Sequence, residues 1–180
     1  GDALPDQPTL VIGASTGGPN VVERTIAGLP SSEFRILVVQ HMPGSFTSGF
    51  ANRLDERSDY DIREADDGDR IGAGEALVAP GSSHMEVTGY RRGRLRVGLT
   101  EDSGKSVRPS IDITMTSAAE HVDDPLVGAV LTGMGDDGRI GVQKISRAGG
   151  HVIVQDEATS AVFGMPERAI ETGHVDLVRP

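Results

Sequence analysis

Short apolar runs alternate with amphipathic segments along most of the chain. The uninterrupted apolar runs predict buried β-strands at 9–15, 34–40, 127–134 and 151–155. Between them, apolar positions recur three or four residues apart, which predicts helices at 18–29, 45–57, 111–121, 138–148 and 166–172. Buried strands that alternate with amphipathic helices are typical of a parallel sheet covered on both faces.

A different period appears in the middle of the chain. Residues 84–99 alternate apolar and polar side chains around a turn that contains glycine, which predicts an antiparallel hairpin. Residues 60–65 and 75–80 predict two shorter strands, and 100–109 a polar loop. The predicted fold is therefore α/β: a doubly wound, mainly parallel sheet with helices on both faces and an antiparallel hairpin. We assign residues 9–180 to one domain and interpret 1–8 as a linker or an expression remnant.

Composition excludes several classes of protein. The 180 residues include no cysteine, which excludes a disulfide framework and a thiolate nucleophile. No apolar run approaches the length of a membrane-spanning helix and no signal peptide opens the chain, so we expect a cytoplasmic protein without membrane insertion. A net charge of -10 argues against nucleic-acid binding. The one basic run, Arg91–Arg96, is interpreted first as a solvated hairpin.

The acidic excess also bears on the environment of the protein. The chain has 27 Asp and Glu residues against 17 Lys and Arg, and only Lys105 and Lys144 are lysines. This balance resembles the surfaces of proteins from salt-loving cells. A GC-rich genome also favours arginine over lysine, but it does not explain the net charge.

Candidate chemistry lies where three predicted strands end, which is where ligands bind in open parallel sheets. Ser15 follows the first strand within glycines, and His41 follows the second. Asp136 and Asp137 follow the third, in the stretch TGMGDDG. A serine, a histidine that takes its proton and a carboxylate that orients the imidazole form an acyl-transfer triad. The glycines permit a tight strand-to-helix turn, and nearby backbone N–H groups are candidates to bind an oxyanion.

Each residue also has a structural interpretation. Ser15 is a plausible helix N-cap, and the glycine-rich turn around it resembles a dinucleotide-binding loop. The nucleotide alternative lacks an acidic residue after the second strand, where Gln40 and His41 stand. In an α/β-hydrolase the histidine would follow the acid, which leaves His174 as a weak alternative base. The five histidines show no paired-ligand spacing, so we expect neither a metal nor a cofactor.

Six stretches between residues 11 and 170 resemble, in order, the motifs of the chemotaxis protein-glutamate methylesterase family: IGASTGGP, VVQHMPGSFT, APGSSHMEV, RPSID, VLTGMGDDG and VFGMPERAI. The resemblance implies a doubly wound sheet and a serine hydrolase that removes methyl esters from receptor glutamates. It implies Ser15 as nucleophile, His41 as base and Asp137 as the orienting acid. It also implies that backbone N–H groups stabilise the oxyanion, with Thr16 and Met134 as candidates.

The resemblance extends to partners. It implies methyl-accepting chemotaxis receptors as substrates, bound through their helical methylation region, and it raises glutamine deamidation as a second activity. Family members usually carry an N-terminal receiver domain, which this sequence lacks. Because both the receptor segment and this domain are acidic, we expect arginines to assist binding, either Arg108 or the Arg91–Arg96 run. A receptor-binding scaffold without catalysis is the remaining alternative.

Overall fold

The structure, a computed structural model, describes residues 7–101 and 108–180. Its strands are β1 Thr9–Ala14, β2 Arg35–Gln40, β3 Asp61–Glu64, β4 Arg70–Ile71, β5 Glu75–Val78, β6 His84–Arg91, β7 Arg94–Thr100, β8 Leu126–Val130, β9 His151–Gln155 and β10 Leu177–Arg179. Its helices are α1 Gly18–Ala27, α2 Gly44–Glu56, α3 Ile111–His121, α4 Arg139–Arg147 and α5 Gly164–Glu171. None of the described helices is long and apolar enough to span a bilayer.

Seven strands form a parallel sheet in the order β10-β9-β8-β1-β2-β5-β3. The chain runs outward from β1 through β2 toward β5 and β3, and later returns to the other side of β1 with β8. The sheet order therefore reverses between β1 and β8. In open α/β sheets, the crevice at the carboxyl ends of the strands beside such a reversal is the usual binding site.

Each face of the sheet has its own core, which explains why the strands are apolar without interruption. On β1, Ile12 faces the core that contains residues of α1 and α2, and the adjacent Val11 faces the opposite core with α3, α4, α5 and the hairpin. Both side chains are completely buried. Successive side chains point to opposite faces of a strand, so a strand covered on both sides requires apolar residues at every position.

The remaining described strands form a small antiparallel sheet in the order β4-β7-β6. The hairpin turn contains Arg92 at φ 53° and Gly93 at φ 78°, the positive values that tight two-residue hairpin turns require. The hairpin tip packs near the amino end of β2, where the buried Arg35 donates a 3.2 Å hydrogen bond to the Gly93 carbonyl. The guanidinium of Arg35 also lies 5.0 Å from the centre of the Tyr90 ring.

The predicted fold class is confirmed, with corrections at several boundaries. β8 ends at Val130 instead of continuing to residue 134, because the backbone of Gly133 bonds to Val162 and Met165 rather than to a neighbouring strand. α5 begins at Gly164, two residues before the predicted start. The two-residue β4 and the exposed β10 were not predicted. Residues 1–6 of the predicted linker and 102–107 of the predicted loop lie outside the described residues.

Candidate active site

Ser15 stands in the tight turn between β1 and α1. Its N–H donates to the Thr132 carbonyl at 2.9 Å, and its own carbonyl accepts from Gly18 N and Gln40 Nε2, each at 2.8 Å. The turn needs Gly17, which has φ +82° and would place a Cβ 2.6 Å from Ala161 Cβ. Ser15 is thus held on three sides through its backbone, while its side chain remains partly exposed.

His41 is the first residue after β2. Its N–H donates to the Ala14 carbonyl at 2.9 Å, which continues the β1–β2 hydrogen-bond ladder by one residue. Because neighbouring strands lie about 4.8 Å apart, this register places His41 directly beside Ser15. The His41 side chain is 15% exposed.

Asp137 lies in the loop between β8 and α4, and its Oδ2 is 2.7 Å from His41 Nε2. The carboxylate also accepts from Ile111 N at 2.7 Å, Asp112 N at 3.0 Å and Ser110 Oγ at 3.2 Å, all at the start of α3. Burial raises the pKa of the Asp137 carboxyl, but the hydrogen bonds from His41, Ile111 and Asp112 together lower that pKa by more than burial raises it. The net result is a pKa below the ordinary value, so Asp137 is an anion at neutral pH.

The geometry distinguishes between the two aspartates. Asp136 is exposed, whereas Asp137 is partly buried and contacts His41. The structure therefore brings Ser15, His41 and Asp137 together at the carboxyl edge of β1, β2 and β8. It gives the imidazole–carboxylate contact as a hydrogen bond, and the strand register places Ser15 and His41 at neighbouring strand ends.

The loop after β8 also approaches Ser15. A Cβ on Gly133 would lie 2.7 Å from Ser15 Cβ and 3.0 Å from Ser15 N, so only glycine allows this approach. Met134, the next residue, exposes 69% of its surface at the mouth of the site. The proximity keeps the N–H groups of Met134 and Thr16 as candidates for an oxyanion site.

The candidate arginines lie in different places. Arg108 is exposed and stands two residues before Ser110, the N-cap of α3. The Arg91–Arg96 run belongs to the hairpin tip at the amino end of β2, which is about 20 Å of strand away from His41. Arg108 therefore lies near Ser110, which bonds Asp137, and the run lies at the other end of β2; substrate binding by either stays a prediction.

A surface cleft beside the site was not anticipated from the sequence. It is lined by Gly135, Asp136, Arg139, Gly164, Arg168 and Glu171. Arg168 forms a 3.1 Å ion pair with Glu171, and Arg139 stands two residues after Asp137. Arg139 had no motif to mark it, because its position at the site follows only from the way α4 begins.

Other histidines occupy different environments. His174 Nδ1 lies 3.1 Å from Ser146 Oγ near the end of α4, so it is not the base for Ser15. His84 is fully buried, and its Nδ1 accepts a 3.1 Å hydrogen bond from Ser110 N. Within residues 7–101 and 108–180, no group of three or more His, Cys, Asp or Glu side chains is arranged to hold a metal ion.

Comparison with known proteins identifies the family of the chain. A sequence model of the family described as CheB methylesterase matches residues 10–180. The chain belongs to the CheB methylesterase family. A protein-glutamate methylesterase/protein-glutamine glutaminase of Halobacterium salinarum is 64% identical over 97% of this chain and 51% of its own length. The corresponding protein of Natronomonas pharaonis is 63% identical over 97% of this chain and 50% of its own length.

The fold also matches that of a solved CheB structure. The CheB methylesterase catalytic domain of Thermotoga maritima aligns with a TM-score of 0.89 and 41% identity, over 96% of this chain and 92% of that one. The chain spans about half the length of the curated relatives that it matches.

Proposed function

We propose that this CheB-family domain hydrolyses methyl esters on glutamate side chains of chemotaxis receptors, with Ser15 as nucleophile, His41 as base and Asp137 as orienting acid. The observation that carries the proposal is the 2.7 Å contact between His41 Nε2 and Asp137 Oδ2, at a histidine that the strand register places at the strand end next to Ser15. The names of the relatives support this reaction and add glutamine deamidation as a second activity at the same site.

The tautomer of His41 follows from its partner. Asp137 is a carboxylate that only accepts hydrogen bonds, so Nε2 carries the proton and donates it. Nδ1 is then the unprotonated nitrogen that accepts the Ser15 proton. In the familiar serine-protease arrangement the two ring nitrogens have the opposite roles, with Nδ1 on the acid.

The reaction proceeds in two halves. The Ser15 oxygen attacks the ester carbonyl as its proton passes to His41 Nδ1, and the resulting oxyanion is stabilised by backbone N–H groups, with Met134 and Thr16 as candidates. The C–O bond to methoxide breaks, and methanol leaves with the proton from His41. Water then attacks the glutamyl-Ser15 ester and gives a proton to His41. The bond to Ser15 breaks, His41 returns that proton to the Ser15 oxygen, and the glutamic acid product loses its own proton to solvent.

Substrate binding requires positive charge near the site. The domain is acidic, and a receptor segment rich in glutamate would be repelled unless local cations intervene. Arg108 lies ahead of the start of α3 and Arg139 lies in the cleft beside Asp136, so both are positioned to meet acidic neighbours of the hydrolysed ester. The open surface suits a side chain that projects from a receptor helix.

The decisive test is methanol release from methylated receptor by the wild type and by Ser15→Ala. The wild type is expected to release methanol, and the variant is expected to bind receptor but release none above background. Equal turnover by the two proteins would rule out Ser15 as the nucleophile. Ammonia release from a glutamine-bearing receptor, measured in parallel, tests deamidation.

A further inference from the structure

The start of α4 lacks its own cap. Its N-cap residue is Gly138, which has no side chain, and its first turn contains no acidic residue. A helix start leaves several backbone N–H groups without intrahelical acceptors, and a buried start needs acceptors from elsewhere. This helix start matters to the site, because Asp137 is the residue immediately before Gly138.

The missing acceptor comes from the first turn of α3. Asp112 Oδ1 accepts from Gly138 N at 3.0 Å and from Gly141 N at 2.7 Å. The Asp112 side chain is almost fully buried. Bonds from buried N–H groups to a carboxylate are stronger than those between neutral groups, so this contact holds the start of α4 in place.

The two helices exchange carboxylates. Asp137, just before α4, accepts from Ile111 N and Asp112 N at the start of α3, while Asp112, on α3, accepts from the start of α4. Both helix starts carry a partial positive charge, which offsets the proximity of two carboxylates. These bonds hold the junction between the β8–α4 loop and α4 in place against α3. They therefore also fix the direction in which Asp137 faces His41.

We infer that Asp112 is a positioning residue for the triad: its buried carboxylate holds the start of α4 so that Asp137 meets His41 in bonding geometry. The inference rests on the proposed function only for its kinetic readout. Asp112 acts through Asp137, because the two N–H groups that it accepts from belong to the start of α4, directly after Asp137. The roles of Ser110 and Gln40 are different, since they bond Asp137 and Ser15 directly.

The test compares Asp112→Ala with Asp112→Asn. Alanine leaves Gly141 N without its acceptor and leaves Gly138 N bonded only to Asp137 Oδ1, whereas the asparagine oxygen can accept both bonds. We expect Asp112→Ala to lower kcat by about 10- to 100-fold with KM within about twofold, as a shift near 1 Å in a catalytic group would do. Asp112→Asn should keep kcat within about threefold of the wild type.

A readout independent of turnover is the proton NMR signal of the imidazole N–H that bonds a carboxylate, which a short charge-assisted bond moves far downfield. It should be present in the wild type and Asp112→Asn, and weakened or lost in Asp112→Ala, with Asp137→Asn as the reference for loss. If Ser15→Ala refutes the hydrolase proposal, this signal still tests the positioning of Asp137. If Asp112→Ala does not fold, Asp112→Ser carries the test, because its shorter side chain cannot reach both N–H groups.

The control is Asp176→Ala. Asp176 Oδ2 likewise accepts a hydrogen bond from a backbone N–H, that of Val152 at 2.8 Å. This bond lies at the amino end of β9, whereas the site lies at the carboxyl ends of the strands. This variant should lower the melting temperature without changing kcat or the downfield signal. The inference is overturned if Asp112→Ala behaves like Asp176→Ala in both readouts, or if Asp112→Asn is as impaired as Asp112→Ala.

Discussion

Replacing Asp137 by asparagine probes the site most sharply, because the two oxygens of the carboxylate have unequal partners. Oδ2 accepts from Ile111 N and faces His41 Nε2. Oδ1 accepts from Asp112 N, Gly138 N and the rotatable Ser110 hydroxyl. An asparagine has one acceptor oxygen and one NH₂ donor, so it can satisfy only one of these two sets.

The count of fixed donors decides the orientation. If the asparagine NH₂ takes the Oδ1 position, this donor faces two other donors, the backbone N–H groups of Asp112 and Gly138. If the NH₂ takes the Oδ2 position, it faces only one backbone donor, the N–H of Ile111. Gly138 N keeps its bond to Asp112 Oδ1 in either case, but an NH₂ that faces two fixed donors is less favourable than one that faces a single donor, so we expect the second orientation. The NH₂ then faces His41, whose Nε2 must become the acceptor. The proton moves to Nδ1, and the imidazole can no longer accept the proton of Ser15.

The expected loss follows from this tautomer. In serine proteases, the same change from carboxylate to amide lowers kcat by about 10⁴. We expect Asp137→Asn to lower kcat by about 10³- to 10⁴-fold, less than Ser15→Ala, with KM nearly unchanged. Lost charge assistance and one opposed N–H should together lower the free energy of unfolding by roughly 2–4 kcal/mol.

The assay is methanol release from methylated receptor under single-turnover conditions, with thermal unfolding measured on the same samples. Asp136→Asn is the matched control, because Asp136 is the exposed neighbour and should leave kcat unchanged. Damage by Asp136→Asn with near-normal activity in Asp137→Asn would refute the assignment of the acid. A kcat loss below tenfold in Asp137→Asn would refute the tautomer argument.

The pH dependence of stability has a definite sign. Because the folded-state pKa of Asp137 lies below its unfolded value of about 3.9, the ionised carboxylate stabilises the fold above that pH. The contribution disappears as the pH falls through the lowered folded-state pKa. The difference in unfolding free energy between the wild type and Asp137→Asn should therefore be constant above about pH 5 and narrow below about pH 4.

Three further predictions concern the rest of the site and the surface. Ser15→Ala and His41→Ala should each lower turnover by about 10⁴-fold or more, and the double variant should be little worse in the same methanol assay, since the residues form one proton-transfer unit; multiplicative losses would contradict this. Arg108→Gln and Arg139→Gln should raise KM for methylated receptor with kcat nearly intact, whereas Arg94→Gln on the distant hairpin should change neither. If repulsion among the surface carboxylates destabilises the fold, the melting temperature should rise from low to molar KCl. The reason is that the screening length falls from about 10 Å at 0.1 M to about 3 Å at 1 M. A melting temperature that is flat or falls with KCl would reject the salt-loving interpretation and leave the triad assignment intact.

The sheet and the place of the three strand ends were predictable for a physical reason. A strand covered on both faces is apolar at nearly every position, so runs such as 36–39 are visible in the sequence, and the residues that follow them mark the carboxyl edge. The hairpin was predictable because its period of two differs from that of its surroundings. The short strands β4 and β10 carry no such pattern: one has two residues and the other is exposed throughout.

The support of the site could not be read from patterns in the same way. The choice between Asp136 and Asp137 depends on which carboxylate faces the start of α3, which lies 26 residues before Asp137 in the chain. Ser110 is the N-cap of α3 and accepts a 3.4 Å bond from Ile113 N. Its second bond, to Asp137, depends on tertiary packing. Local rules predict a cap for one helix, but they do not show that the cap is shared with another.

The exchange of carboxylates between α3 and α4 suggests why the acid sits on a helix start at all. A lone buried carboxylate beside a histidine would have its pKa raised by desolvation, and a protonated acid could not fix the tautomer of His41. At the start of α3, the N–H groups of Ile111 and Asp112 keep Asp137 ionised while leaving Oδ2 in contact with the imidazole. The same N–H groups need an acceptor in any case, because α3 begins in a buried place. One residue thus meets a requirement of the fold and a requirement of the chemistry, so variants of Asp137 should lose stability and turnover together, whereas variants of Ser15 should lose turnover alone.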